Sequence, residues 1–236
     1  VVSAIRVLLV DGEPSVDACD DEVALLATAL RPEGQVFSGF EATIVDEPGL
    51  DEVILSDFAV VILANVYRIS DPSIERLERF TREGGGVVIF LGDQVDPELF
   101  NGTLYRQGRG LAPGQLVEIA RPSEAARLDV VDRLHPALRA VGLSGDVLGL
   151  GDVRFFSYFT AVPHTAGDPA TTQNDEADGL EAGPAEKILS QQAEVLARFN
   201  VPEEHPAILE RSYGKGRVVM ITTTADKEWH FWPNHP

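Results

Sequence analysis

Asp11, Glu13, Asn65, Gly92, Asp93, Thr224 and Asp226 have types and placements that could support chemistry. Each follows an apolar run. Asp11 and Glu13 follow I-R-V-L-L-V, Asn65 follows F-A-V-V-I-L-A, and Gly92-Asp93 follows V-V-I-F-L. Thr224 and Asp226, with Glu228 and His230 behind them, follow R-V-V-M-I-T-T. The C-terminal end of a buried strand is where an open α/β sheet binds ligands and holds nucleophiles. Carboxylates converging there with an imidazole suit a hard divalent cation or a metal-assisted hydrolase. Asp93 by itself could act as an aspartate nucleophile. The competing explanation is structural, because Asp and Asn side chains close turns by bonding nearby backbone N–H groups. No H-E-x-x-H or similar ligand spacing occurs, so the structural explanation leads and neither a metal nor a cofactor is expected.

The elements that would position these residues are legible from periodicity. Ile5–Val10, Phe58–Ala64 and Val87–Leu91 are short, β-branched apolar runs, the pattern of parallel strands covered on both faces. Glu41–Val45 reads as a further strand, and Pro48–Ser56 as a connection with a short helix. Glu22–Leu30 has an apolar helical face and stops before Pro32. In D-P-S-I-E-R-L-E-R-F-T-R-E-G-G-G, Asp71 reads as an N-cap with Pro72 in the first helical position. Ile74, Leu77, Phe80 and Thr81 form the inward stripe, and Gly84 closes the helix. Strand and helix alternate from Ile5 to Asp93, which predicts a parallel sheet with helices on both faces.

Beyond Asp93, a helical turn is expected at Asp96–Phe100, strands at Gln115–Ala120 and Phe155–Val162, and a turn at His135–Leu138. Residues 165–186 are polar, acidic and rich in Gly and Ala, the composition of a mobile loop. Glu194–Phe199, Ala207–Tyr213 and Arg217–Thr223 read as antiparallel strands added to the sheet edge, with Ser212–Gly216 as the last hairpin turn. Gly84-Gly85-Gly86 precedes a strand instead of following one, so it is a turn and not a phosphate loop. Cys19, the single cysteine, sits among Asp17, Asp20, Asp21 and Glu22, whose charges raise a thiol pKa. The five histidines show no ligand pattern, and Trp229, Phe231 and Trp232 cluster at the end.

The 236 residues include 38 acidic and 19 basic ones, a formal charge of -19. Such a balance argues against nucleic acid and against docking on anionic lipid. No run approaches the length of a membrane helix. The start at Val1 and the stop at W-P-N-H-P read as cuts in a longer protein, so one domain spanning 1–236 of a larger parent is expected.

Three segments carry a family resemblance: V-L-L-V-D-G-E-P-S, L-E-R-F-T-R-E-G-G-G-V-V-I-F-L-G-D, and Y-G-K-G-R-V-V-M-I-T-T-T-A-D-K-E-W. Their order and spacing resemble the class I glutamine-amidotransferase-like fold. More closely, they resemble the amidotransferase-like domain near the C-terminus of BatA-type bacterial membrane proteins. The resemblance implies a flavodoxin-like three-layer sandwich, mostly parallel with antiparallel C-terminal strands. It also implies a membrane-tethered bacterial parent, attached through regions outside this chain, with the periplasmic side favoured. Amidotransferase chemistry needs a Cys on a strand-to-helix elbow and a His on a late strand. The matching positions here hold Gly92-Asp93 and T-T-T-A-D at 222–226. The expectation is therefore a non-catalytic binding or scaffold domain with an unknown protein or small-molecule partner. The alternatives are a carboxylate-based metal-assisted hydrolase, and a small-molecule sensor that uses the vacated pocket with Asn65 and Thr224 as contacts.

Overall fold

The computed structural model describes residues 4–17, 20–31, 38–131, 135–136, 152–165 and 192–231. Cys19, Trp232, His235 and the acidic stretch beyond Thr165 lie outside the described residues, as does most of the expected turn at His135–Leu138. Strands β1 (Ile5–Asp11), β2 (Phe40–Asp46), β3 (Val60–Ala64), β4 (Gly86–Phe90), β6 (Leu128–Val130), β8 (Glu194–Phe199), β9 (Pro206–Tyr213) and β10 (Gly216–Ile221) form one sheet. Its order is β2-β1-β3-β4-β10-β9-β8-β6. The pairs from β2 to β10 are parallel and those from β10 to β6 antiparallel. Strands β5 (Gly114–Ala120) and β7 (Tyr158–Pro163) make a separate antiparallel pair. The chain is thus a flavodoxin-like α/β structure, with an antiparallel extension on a mostly parallel sheet.

The alternation along the strands sorts the core. Leu8, Val10, Val61, Leu63, Val87 and Ile89 face helix α2 (Asp71–Glu83), whose Ile74, Leu77 and Phe80 complete the larger cluster. Val7, Leu9, Ile62 and Ala64 face the other way and pack with Val23 of helix α1 (Glu22–Leu30). Helices cover both faces, as a parallel sheet demands.

Two expectations need correction. The N-cap of α2 is Ser70, not Asp71: its hydroxyl accepts from Ser73 N, and its carbonyl accepts from Ile74 N. Ser70 also donates to Asp51 Oδ1 at 2.6 Å, a distant partner that local sequence does not disclose. Second, the last strand is no edge addition. β10 lies beside β4 and parallel to it, and only β9, β8 and β6 extend antiparallel from there. The β9–β10 hairpin turns at Gly214, whose φ of +67 favours glycine.

Candidate functional site

The C-terminal ends of β1, β3 and β4 meet around Asn65. Its φ is 50°, the left-handed region that Asn tolerates better than most residues. Asn65 N donates to Phe90 O at 3.1 Å, and Gly12 N donates to Ala64 O at 3.0 Å, so three strand ends are stitched by backbone bonds. Two glycines make room for the asparagine. A Cβ at Gly12 would lie 2.0 Å from Asn65 O, and one at Gly92 would lie 2.3 Å from Asn65 Cγ.

The Asn65 side chain is fully engaged. Nδ2 donates to Glu13 Oε2 at 2.9 Å and to Asp93 Oδ1 at 3.0 Å. Oδ1 accepts from Gln94 N at 3.0 Å. The Gln94 amide bridges the same carboxyls from the other side, reaching Glu13 Oε1 at 3.2 Å and Asp93 Oδ2 at 3.4 Å. Glu13 and Asp93 are therefore a carboxyl pair clamped between two amides. Partial burial, and then the Asp93 charge and a hydrogen bond between the two carboxyls, push Glu13 above the usual carboxylate range.

The other candidates lie beside this clamp, and each is tied locally. Asp11 Oδ1 accepts from Glu13 N at 3.0 Å, and Asp226 Oδ1 accepts from Glu228 N at 3.0 Å, both of them turn contacts. Burial raises the Asp11 pKa. Thr224 is buried, with no hydrogen-bond partner for its hydroxyl, and its carbonyl oxygen lies 2.8 Å from His230 Nε2. Among the described residues, no group of three His, Cys, Asp or Glu side chains is arranged to hold a metal ion.

Glu22 and Gln94 also belong to this region, and the sequence pattern alone does not mark them. Glu22 opens α1, where an acidic first-turn residue reads as a solvated partner of the helix dipole. Instead it is only 4% exposed, and its Oε1 accepts from Ala225 N at 3.2 Å. Burial, followed by the charge of Asp226, pushes its carboxyl up to about 9, so it is protonated at neutral pH. Gln94 carried one available signal, its place directly after Gly92-Asp93.

Asp93 lies in a tight turn closed by Val95 N on Gly92 O at 3.2 Å. The next helix, α3 (Pro97–Phe100), starts later and has Asp96 as its N-cap, so Asp93 gains nothing from a helix terminus. His230 is 1% exposed, and burial lowers its pKa. A carbonyl only accepts, so Nε2 carries the proton given to Thr224 O. The ring packs against Phe155 at 5.1 Å between centroids.

No family model matches the chain, and no curated protein matches it. Solved structures do. A cytoplasmic protein of Salmonella typhimurium aligns over 98% of this chain and 95% of its own, with a TM-score of 0.61 and 12% identity. A second cytoplasmic protein, from Salmonella typhimurium LT2, aligns over 95% and 90%, with a TM-score of 0.57 and 10% identity. A GH42 beta-galactosidase from G. stearothermophilus matches 93% of this chain with 27% of its own, at a TM-score of 0.55 and 13% identity. At these identities the likeness is one of fold alone.

Proposed function

We propose that this chain is a non-catalytic binding or scaffold domain built on a class I glutamine-amidotransferase-like fold. The single observation behind this reading is the fate of Asp93. By the sequence resemblance it falls where that fold holds its nucleophile, and its side chain is bound into a clamp with Glu13, Asn65 and Gln94. A thiol or hydroxyl nucleophile needs a base beside it, and a carboxylate nucleophile needs an oxygen aimed at a substrate. Asp93 has its two oxygens engaged by amides, and His230 is turned into the core. The placement of the domain in a membrane-tethered bacterial parent is part of the same proposal and rests on the sequence resemblance. No helix of the described residues is long and apolar enough to cross a membrane. The test is turnover: purified protein incubated with glutamine and with chromogenic amides and esters is expected to match the buffer rate. Hydrolysis that disappears in a folded Asp93→Asn variant would refute the reading.

A further inference from the structure

A second concave site lies at the other end of the sheet, where β4 and β10 begin. It is an open cleft of roughly 630 Å³ lined by Glu78, Arg82, Arg106, Gln107, Arg109 and Tyr213, with Asn101 and Gly102 at its rim. That volume falls within the range of small-molecule sites, about 300–1,000 Å³. In a chain carrying 19 net negative charges, three arginines here face one carboxylate.

The arrangement is built rather than incidental. Glu78 is 6% exposed and gives one oxygen to each of two guanidiniums, Oε2 to Arg82 at 3.0 Å and Oε1 to Arg106. The buried carboxylate thus holds two planar guanidiniums side by side. The backbone that delivers Arg106 is unusual. A π-helical turn, Asn101–Tyr105, leads into Arg106 and Gln107, two consecutive non-glycine residues with φ of 45° and 56°. π-turns and strained left-handed residues concentrate at functional sites. Asn101 secures the turn through a pair of bonds to Leu116. Hydrogen-bonding capacity is left over. Arg106 Nε is buried with no partner, and among the described residues Arg109 and Gln107 make no side-chain hydrogen bond or ion pair.

We infer that this cleft binds a dianionic phosphate group carried by a small molecule, held by Arg106 and Arg109 with support from Arg82 and Gln107. Glu78 neutralises one arginine and leaves two positive charges, which match a phosphate monoester dianion. Guanidinium forks suit its oxygens in bidentate geometry. The inference stands independently of how the strand-end clamp is read.

The probes are inorganic phosphate, glycerol phosphate and succinate, titrated by calorimetry at constant ionic strength against a chloride control. Phosphate and glycerol phosphate should bind and raise the melting temperature. Arg109→Glu should weaken binding by about tenfold or more with an unchanged circular dichroism spectrum, since Arg109 is exposed and has no partner to lose. Arg106→Lys, which keeps the charge opposite Glu78 but loses the fork, should also weaken it. The inference is overturned if phosphate acts no differently from chloride, if Arg109→Glu binds as well as the parent protein, or if succinate binds and phosphate does not.

Discussion

A Cβ placed on Gly92 would stand 2.3 Å from the side-chain carbon of Asn65, closer than any non-bonded pair of carbons tolerates. The absence of a side chain at the end of β4 is what lets an asparagine at the end of β3 reach across to Glu13 and Asp93. Gly92→Ala is therefore expected to destabilise the fold by about 1–3 kcal/mol, the usual range for overpacking. Urea unfolding measures this, and loss of the Asn65 side-chain amide signals from their folded positions in an NMR spectrum would show the clamp opening.

Asn65 itself combines a strained backbone with a fully used side chain. Asn65→Ala loses the bonds and keeps the strain, and is expected to cost about 2–3 kcal/mol. Asn65→Gly loses the same bonds but relieves the left-handed conformation, so it should be the more stable of the two by about 1 kcal/mol. Equal stabilities would mean that the backbone at this position is not strained.

Glu22 gives the protein a pH dependence of definite sign. Its carboxyl, ordinarily near 4.5, is pushed up to about 9 in the fold, so the folded state holds a proton that the unfolded state releases. This contribution to stability is fully present below 4.5 and is lost progressively as pH rises toward 9, by at most about 1.4 kcal/mol per pH unit. Glu22→Gln keeps the shape of the protonated acid and cannot ionise. It should be about as stable as the parent at pH 5 and more stable by about 1–3 kcal/mol at pH 8. Denaturation curves at the two pH values decide the matter, and parallel pH profiles for the two proteins would contradict it.

The sheet was legible because its signals are local. β1, β3 and β4 are continuous apolar runs, and the stripe Ile74, Leu77, Phe80 sits on α2 as its spacing requires. The residues at the strand ends could also be named, since a polar residue after such a run lies at the sheet's rim. Their partners could not. The Asn65–Glu13 and Asn65–Asp93 bonds join residues far apart in sequence, and nothing near Asn65 announces them. Glu22 shows the same limit, because its burial comes from Ala225 and Asp226 at the other end of the chain. The place of β10 is hidden for a similar reason. The hairpin before it fixed its pairing with β9, but its second neighbour, β4, is set by tertiary packing. The arginine cleft has no local signal, because R-Q-G-R is separated in sequence from Glu78 and Tyr213, which complete it.

The central claim, that the strand-end face is a clamp and not a catalytic centre, is tested most directly by a turnover assay on purified protein. Glutamine and chromogenic amide and ester substrates are incubated with the parent chain and with Asp93→Asn, with and without added divalent cations. The clamp reading predicts that both proteins stay at the buffer rate under every condition. Turnover by the parent chain that is abolished in a folded Asp93→Asn variant would contradict it and make Asp93 a catalytic residue.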